Sequence, residues 1–283
     1  MKHFAVILLT AAIAAGCDSG TPPVSGTGGP PTVGPATVND AKTTPPANAG
    51  PAGPTAGSSP AEAATLRGRV VFEGTPPKRR SIDMSAEPHC AQMREGFLAE
   101  TVVVGENGGL QNAIVYVSKG TAGMRFEPKA GEVLIAMEPN AGTVLIDQVG
   151  CTYRPHVIAV MVGEMFRFRN SDPVTHNVHS LAAMNDQFNL SQSTQGQVNA
   201  FSFNSPELAA RIKCDTHPWM GCWIAVFDHP FFAVTYEDGT FSIGGLPPGE
   251  YEISAWQEKL ECGPQTVKLA AKETKELTFT FKE

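Results

Sequence analysis

The stretch Cys214-Asp215-Thr216-His217-Pro218-Trp219-Met220 sets a thiol, an imidazole and a thioether at three-residue intervals, and upstream His176-Asn177-Val178-His179 offers further imidazoles. One thiolate, two imidazoles and one thioether form a soft ligand set with a single charged member. Such a set suits copper cycling between Cu(I) and Cu(II) in a trigonal site of two His and one Cys with a long axial Met. Mg²⁺ or Ca²⁺ would want carboxylates, and a closed zinc site rarely uses Met. Each residue alone has a plainer reading: His176 or His179 as a structural histidine, Met220 as core, Cys214 as one half of a disulfide with Cys222. Residues three apart on a strand face opposite ways, so His176 and His179 do not both reach one metal, and His179 reads as structural. A dinuclear copper site of the oxidase type would need two loop cysteines four apart, whereas Cys214 and Cys222 are eight apart.

These side chains converge only if the cysteine stretch is a tight loop between strands and His176 ends a neighbouring strand. The sequence from Leu66 onward fits that need: short apolar runs bounded by turns, with no sustained 3.6-residue period. Arg67 to Phe72, Ile114 to Val117, Val133 to Met137, Val157 to Val162, Met165 to Asn170, Ile224 to Phe227, Phe231 to Tyr236 and Leu277 to Phe281 read as strands. Turn signals such as Glu237-Asp238-Gly239-Thr240 and Leu246-Pro247-Pro248-Gly249 punctuate them. The expected fold is all-β, one or two sandwiches. The 283 residues are 42% hydrophobic and 17% charged, enough apolar material for a real core. A net charge of −7, with no basic cluster larger than Lys78-Arg79-Arg80, excludes a nucleic-acid binder.

The His-Asn-Val-His strand end, the Cys-x-x-His-x-x-Met loop and the run Gly163-Glu164-Met165-Phe166-Arg167-Phe168-Arg169-Asn170 together resemble the cupredoxins, blue copper domains of the amicyanin and plastocyanin type. The resemblance implies a Greek-key sandwich holding one type 1 copper ion on His176, Cys214, His217 and Met220. It implies that Asn177 hydrogen-bonds the cysteine loop and fixes the ligand geometry. It also implies that His217 presents its edge through an apolar patch with Pro218 and Trp219, where a redox protein such as a cytochrome or dehydrogenase docks. Copper whose positions are all filled by protein has no place for substrate, so the expectation is a one-electron carrier and not an enzyme. Delivery or storage of copper, or a metal-free interaction module, are the alternatives.

A second resemblance divides the chain. Leu66-Arg67-Gly68-Arg69-Val70-Val71-Phe72-Glu73-Gly74 with Ala113-Ile114-Val115-Tyr116-Val117, then Thr235 to Ile243, Leu246 to Tyr251 and a strand near Thr278, are similar to carboxypeptidase regulatory-like, transthyretin-like sandwiches. That implies a discontinuous sandwich, 66–129 with 230–283, interrupted by a copper domain at 130–229. Such modules are structural, and no His-x-x-Glu or Gly-x-Ser-x-Gly signature is present.

At the N-terminus, Lys2 and the apolar run from Phe4 to Ala15 read as a signal peptide, 1–16. The small residues before Cys17 resemble a bacterial lipobox, which implies lipid on Cys17, a membrane anchor and a periplasmic or other extracytoplasmic location. An ordinary secreted protein with a spare cysteine is the alternative. Residues 17–65, rich in Pro, Gly and Thr, cannot bury enough surface to offset ordering entropy and read as a disordered linker. With Cys17 and Cys214 assigned, Cys90, Cys151, Cys222 and Cys262 remain. The favoured pairs are Cys90 with Cys151 and Cys222 with Cys262, each stapling the inserted domain to the discontinuous one. Free structural thiols are the alternative. His156 reads as a core or rim histidine or as a second metal ligand. Met124, Met161, Met165 and Met184 are too scattered for a Met-rich copper relay and read as packing.

Overall fold

The computed structural model describes residues 60–93, 96–127 and 144–283. The expected signal peptide, Cys17 with its expected lipid, most of the expected linker and the strand expected at Val133 to Met137 lie outside these residues. Among the described residues no helix is long and apolar enough to cross a membrane. The chain is all-β. Its first part gives β1 (Ala64–Phe72), the short pair β2 (Val103–Val104) and β3 (Leu110–Gln111), and β4 (Ile114–Lys119). Then come β5 (Val144–Gln148), β6 (Tyr153–Arg154), β7 (Val157–Met161), β8 (Met165–Asn170), β9 (His176–Ser180), β10 (Asn189–Gln192), β11 (Val198–Ser202), β12 (Glu207–Lys213) and β13 (Gly221–Phe227). The last part gives β14 (Phe232–Val234), β15 (Thr240–Leu246), β16 (Gly249–Trp256), β17 (Gln265–Leu269) and β18 (Thr274–Phe281). β1 starts at Ala64, so regular structure reaches into the stretch expected to be linker.

The strands sort into four main sheets. Sheets β15-β1-β18 and β14-β4-β16-β17 use only the chain on either side of the middle stretch, and sheets β10-β9-β12-β13-β7 and β11-β8-β5-β6 use only the middle stretch. Each pair encloses its own core. Val70, Val115, Phe231, Ile253 and Phe279 fill the first, while Ile146, Phe166, Phe168, Val178 and Ile212 fill the second. The Asp238-Gly239 turn that returns the chain into β15 needs Gly239 at φ +78°, where a side chain would strike the Val70 carbonyl.

Strand parity explains a third apolar layer. On β13, Cys222, Ile224 and Val226 face the inserted core, whereas Trp223, Ala225 and Phe227 face away from it. On β7, Ile158 and Val160 point inward, while Val157 and Met161 point outward. On β4 it is Val115 and Val117 that fill the other core, leaving Ile114 and Tyr116 outward. The two outward faces meet, so four sheets stack with apolar contact at every level. Phe227 is central there: its ring lies 4.9 Å from that of Phe232 and 5.0 Å from that of Tyr116. A polar clamp borders the layer. Glu258, after β16, accepts from Trp223 Nε1 at 2.8 Å and pairs with His156 Nε2 at 2.9 Å, and Arg211 stacks over Trp223. His156 is therefore an inter-sheet partner and, among the described residues, belongs to neither group that could hold a metal.

The disulfide expectations divide. Cys90, on the short helix α1 (Pro88–Met93), is bonded to Cys151 in the turn between β5 and β6. Cys222 and Cys262 are not bonded, which corrects the second pairing. The reason is parity and place: Cys222 faces the inserted core, whereas Cys262 packs against the other one. The segment between β1 and β2 crosses to the inserted core and packs Met84, Ile82, Ala91 and Phe97 against it.

Phe227→Ala empties the middle of the inter-sandwich layer and is expected to cost about 3–5 kcal/mol, the usual range for a buried Phe. A lowered urea midpoint checks it, and an unchanged midpoint would mean the layer adds nothing to stability.

Candidate metal centre

The site begins with Asn170 at the end of β8. This fully buried amide donates to the carbonyls of Val174 and Gln192 at 2.9 and 3.0 Å, and its oxygen accepts the Asp172 N–H at 3.0 Å. The turn that follows is thereby fixed, and Asp172 is aimed inward instead of into solvent. Its carboxylate accepts the N–H groups of Gly150 and Cys151 at 2.7 and 2.8 Å and holds His176 Nε2 at 2.8 Å. Burial pushes the Asp172 carboxyl up, but the His176 bond and the two backbone donors outweigh it and hold the group below its ordinary value.

A neutral His176 that gives its Nε2–H to Asp172 has its lone pair on Nδ1. That nitrogen faces Nδ1 of His217 at 3.0 Å, and Cys214 Sγ lies 3.8 Å from the same His217 nitrogen. Donor atoms of all three residues lie within 4.8 Å of one another, and all three side chains are buried. Three electron-pair donors crowded into one dry spot repel unless a cation or shared proton sits among them. Imidazole nitrogens bind a first-row dication at ~2.0–2.1 Å and a thiolate binds at ~2.3 Å, so the observed separations leave room for one ion between them. The residues fit copper: one thiol, two imidazoles, and Met220 in the same closed loop.

Met220 is brought there by the loop itself. Cys214 N–H donates to the Met220 carbonyl at 3.3 Å and Met220 N–H to the His217 carbonyl at 2.9 Å, closing a tight turn between β12 and β13 with Met220 1% exposed. Asn177 bridges β9 and the cysteine loop. Its N–H donates to Cys214 Sγ at 3.3 Å, its side-chain oxygen accepts from the Asp215 N–H, and its side-chain N–H₂ donates to Asn189. His179 points away and joins Asp215, with Lys213 and Asn189 on the same carboxylate. This outer cluster clamps the start of the loop and draws the Asp215 carboxyl far down.

One expectation fails here. His217 does not present an edge at the surface: it is 2% exposed. Its Nε2 lies 3.7 Å from Cys90 Sγ, and the Trp219 ring lies 5.2 Å from the imidazole, with the indole N–H donating to the Cys151 carbonyl. The α1 segment and its disulfide cover the place where a solvent-facing edge was expected. Pro218 is exposed and Trp219 half-buried.

The sequence reading missed Asp172 and Tyr153, and missed that the disulfide reaches the site. Asp172 was hidden because an Asp before Pro in a Ser-Asp-Pro turn is ordinary turn chemistry. Cys90 and Cys151 were read as a staple, without a sign that they touch the ligands. Tyr153, whose hydroxyl donates to the carbonyls of Asn177 and Lys213, ties the two ligand-bearing stretches together.

Electrostatics favour a thiolate at residue 214. Burial pushes the thiol up, yet the imidazoles of His176 and His217 beside it and the backbone N–H groups of Asn177 and His217 bring it from 9.0 to about 5. Cys222, with only core around it, is pushed up by burial to about 12.

No protein-family model and no curated protein matches the chain. Solved structures similar to it include the copper-containing nitrite reductase of Thermus scotoductus SA-01, 20% identical, covering 36% of this chain and 26% of that one at a TM-score of 0.30. A Cu(I) amicyanin variant is 20% identical and covers 40% of this chain and 97% of its own, at a TM-score of 0.28. A purple cupredoxin from Nitrosopumilus maritimus is 21% identical and covers 29% and 98%, at 0.26. These neighbours are cupredoxins, but scores this low carry no argument about activity, and the functional reading rests on the ligand geometry.

In the metal-free chain, ultraviolet thiolate absorbance should rise with a midpoint near 5, vanish in Cys214→Ala and persist in Cys222→Ala. Because the folded value lies below the free value of 9.0, the linked stability is full above that pH and is lost as pH falls through about 5. The stability difference between the parent and Cys214→Ala should shrink over that window in denaturant titrations.

Proposed function

We propose that the chain is a type 1 copper protein that carries single electrons outside the cytoplasm, tethered to a membrane through lipid on Cys17. The observation that carries this reading is the convergence of His176, His217 and Cys214, three buried donors of which one is a thiolate. Copper, when bound, supplies the one-electron couple. The protein's own work is to hold the donors still. Asp172 orients His176, Asn177 pins both the Cys214 sulfur and its loop, and the closed turn keeps Met220 in the loop that carries Cys214 and His217, where it would complete the ligand set. A frame cross-tied in this way resists rearrangement as the metal changes charge, and the burial of all four residues excludes water and exogenous ligands. A copper ion held by all four residues would have no open position for substrate, which favours a carrier over an enzyme.

Copper delivery is the weaker alternative, because ligands held under a disulfide-linked cover oppose ready handover. A redox protein partner, such as a cytochrome or dehydrogenase, would meet the exposed Pro218 and half-buried Trp219 over a small, transient interface. Electrons would then pass through the cover to His217, not through a bare imidazole edge.

Adding Cu(II) to the folded chain should produce an intense blue thiolate-to-copper absorption that Cys214→Ala abolishes; a colourless protein would sink the reading. Asp172→Ala should weaken copper binding by about 10–100-fold, the usual effect of removing a partner that orients a ligand histidine. Competition with a chelator of known affinity measures it.

A further inference from the structure

The Cys90–Cys151 disulfide does more than staple two parts of the chain together. Cys90 Sγ lies 3.7 Å from His217 Nε2, and donor atoms of Cys151, Asp172 and His176 lie within 4.8 Å of one another. Among the described residues only two groups bring three such donors together, and this is the second of them. Both imidazoles are shared walls. Each turns Nδ1 toward Cys214 and the other ring nitrogen toward the disulfide side, His176 to Asp172 and His217 to Cys90. In the disulfide the two sulfurs carry no charge to give a metal, so the group is closed by a single covalent bond.

We propose that reduction of this bond opens a second soft-metal site, in which the thiolates of Cys90 and Cys151 hold a Cu(I) ion beside His176 and Asp172. The chemistry favours a monovalent soft ion. Thiolates select Cu(I) over harder cations, and the two cysteines are fully buried with Cα atoms 5.5 Å apart, close enough for both sulfurs to reach a common ion. The other thiols lack such surroundings: Cys222 faces the core, and Cys262 lies against the Ala255 carbonyl in the other sandwich. The step balances with a dithiol as reductant. The donor gives two electrons and two protons, the Cys90–Cys151 bond breaks to two thiols and the donor closes its own disulfide. Each thiol then loses its proton as Cu(I) enters. The chain would thus count copper differently in its two thiol states.

The test loads the full chain with excess Cu(I) without oxygen, before and after treatment with dithiothreitol and desalting, and counts copper per chain after gel filtration. The expected change is from one ion to two on reduction, with Cys90→Ser/Cys151→Ser fixed at one in both states. In Cys214→Ala the count should go from none to one, which separates this site from the first even if the blue-copper reading fails. Equal counts before and after reduction in both chains would overturn the proposal. So would an extra ion retained by Cys90→Ser/Cys151→Ser, or a reduced chain whose circular dichroism shows that it has unfolded.

Discussion

A carboxylate that never sees water organises this protein's functional end. Asp172 is 1% exposed, a placement that is unfavourable for an anion unless every lone pair is answered. Gly150, Cys151 and His176 answer it. Through those three bonds the group settles the conformation of the β5–β6 turn, the position of the disulfide that turn carries, and the orientation of the first imidazole. Cys151 adopts φ +55°, a backbone conformation a cysteine seldom takes, and its N–H is one of the groups that Asp172 holds. The donor cluster is therefore an outcome of the turn network as much as of the ligands themselves.

The cover over that cluster comes from elsewhere in the chain. Ile82, Met84 and Ala91 belong to the segment leading from β1 to β2, yet they pack on the core of the inserted sandwich. The centre is consequently composite: its ligands come from one sandwich and its roof from the polypeptide of the other. Stacking of the inner sheets through Phe227, Phe232 and Tyr116 gives the composite a fixed geometry, because both partners of the roof contact share one apolar layer.

The strand pattern was legible because its period is two and its partners are local. Met165 to Asn170 appears as written, and Val157 and Ile224 begin or sit within real strands. The ligand loop was legible because its spacing is chemical: a Cys, a His and a Met at equal offsets, with an Asn beside a distant His. What stayed hidden depends on the third dimension. Nothing local separates Asp172 from any other turn aspartate, and nothing marks Cys222 as core-facing and Cys262 as belonging to another core. The burial of His217 follows from a helix more than a hundred residues earlier in the chain, so the exposed edge inferred from its neighbours was wrong.

The way the middle stretch enters and leaves its host has a further consequence. β4, before it, and β14, after it, are hydrogen-bonded antiparallel neighbours, with Val115 opposite Ala233. His229, just ahead of β14, is locked to the Val117 carbonyl at 2.8 Å. The strands on either side of the middle stretch are thus neighbours in the host sheet, and their pairing closes the long loop between them at a cost that grows only slowly with its length. A long stretch entered and left by adjacent antiparallel strands is the kind of insertion that a sheet tolerates at its surface, and the host sandwich keeps its own strand order across it.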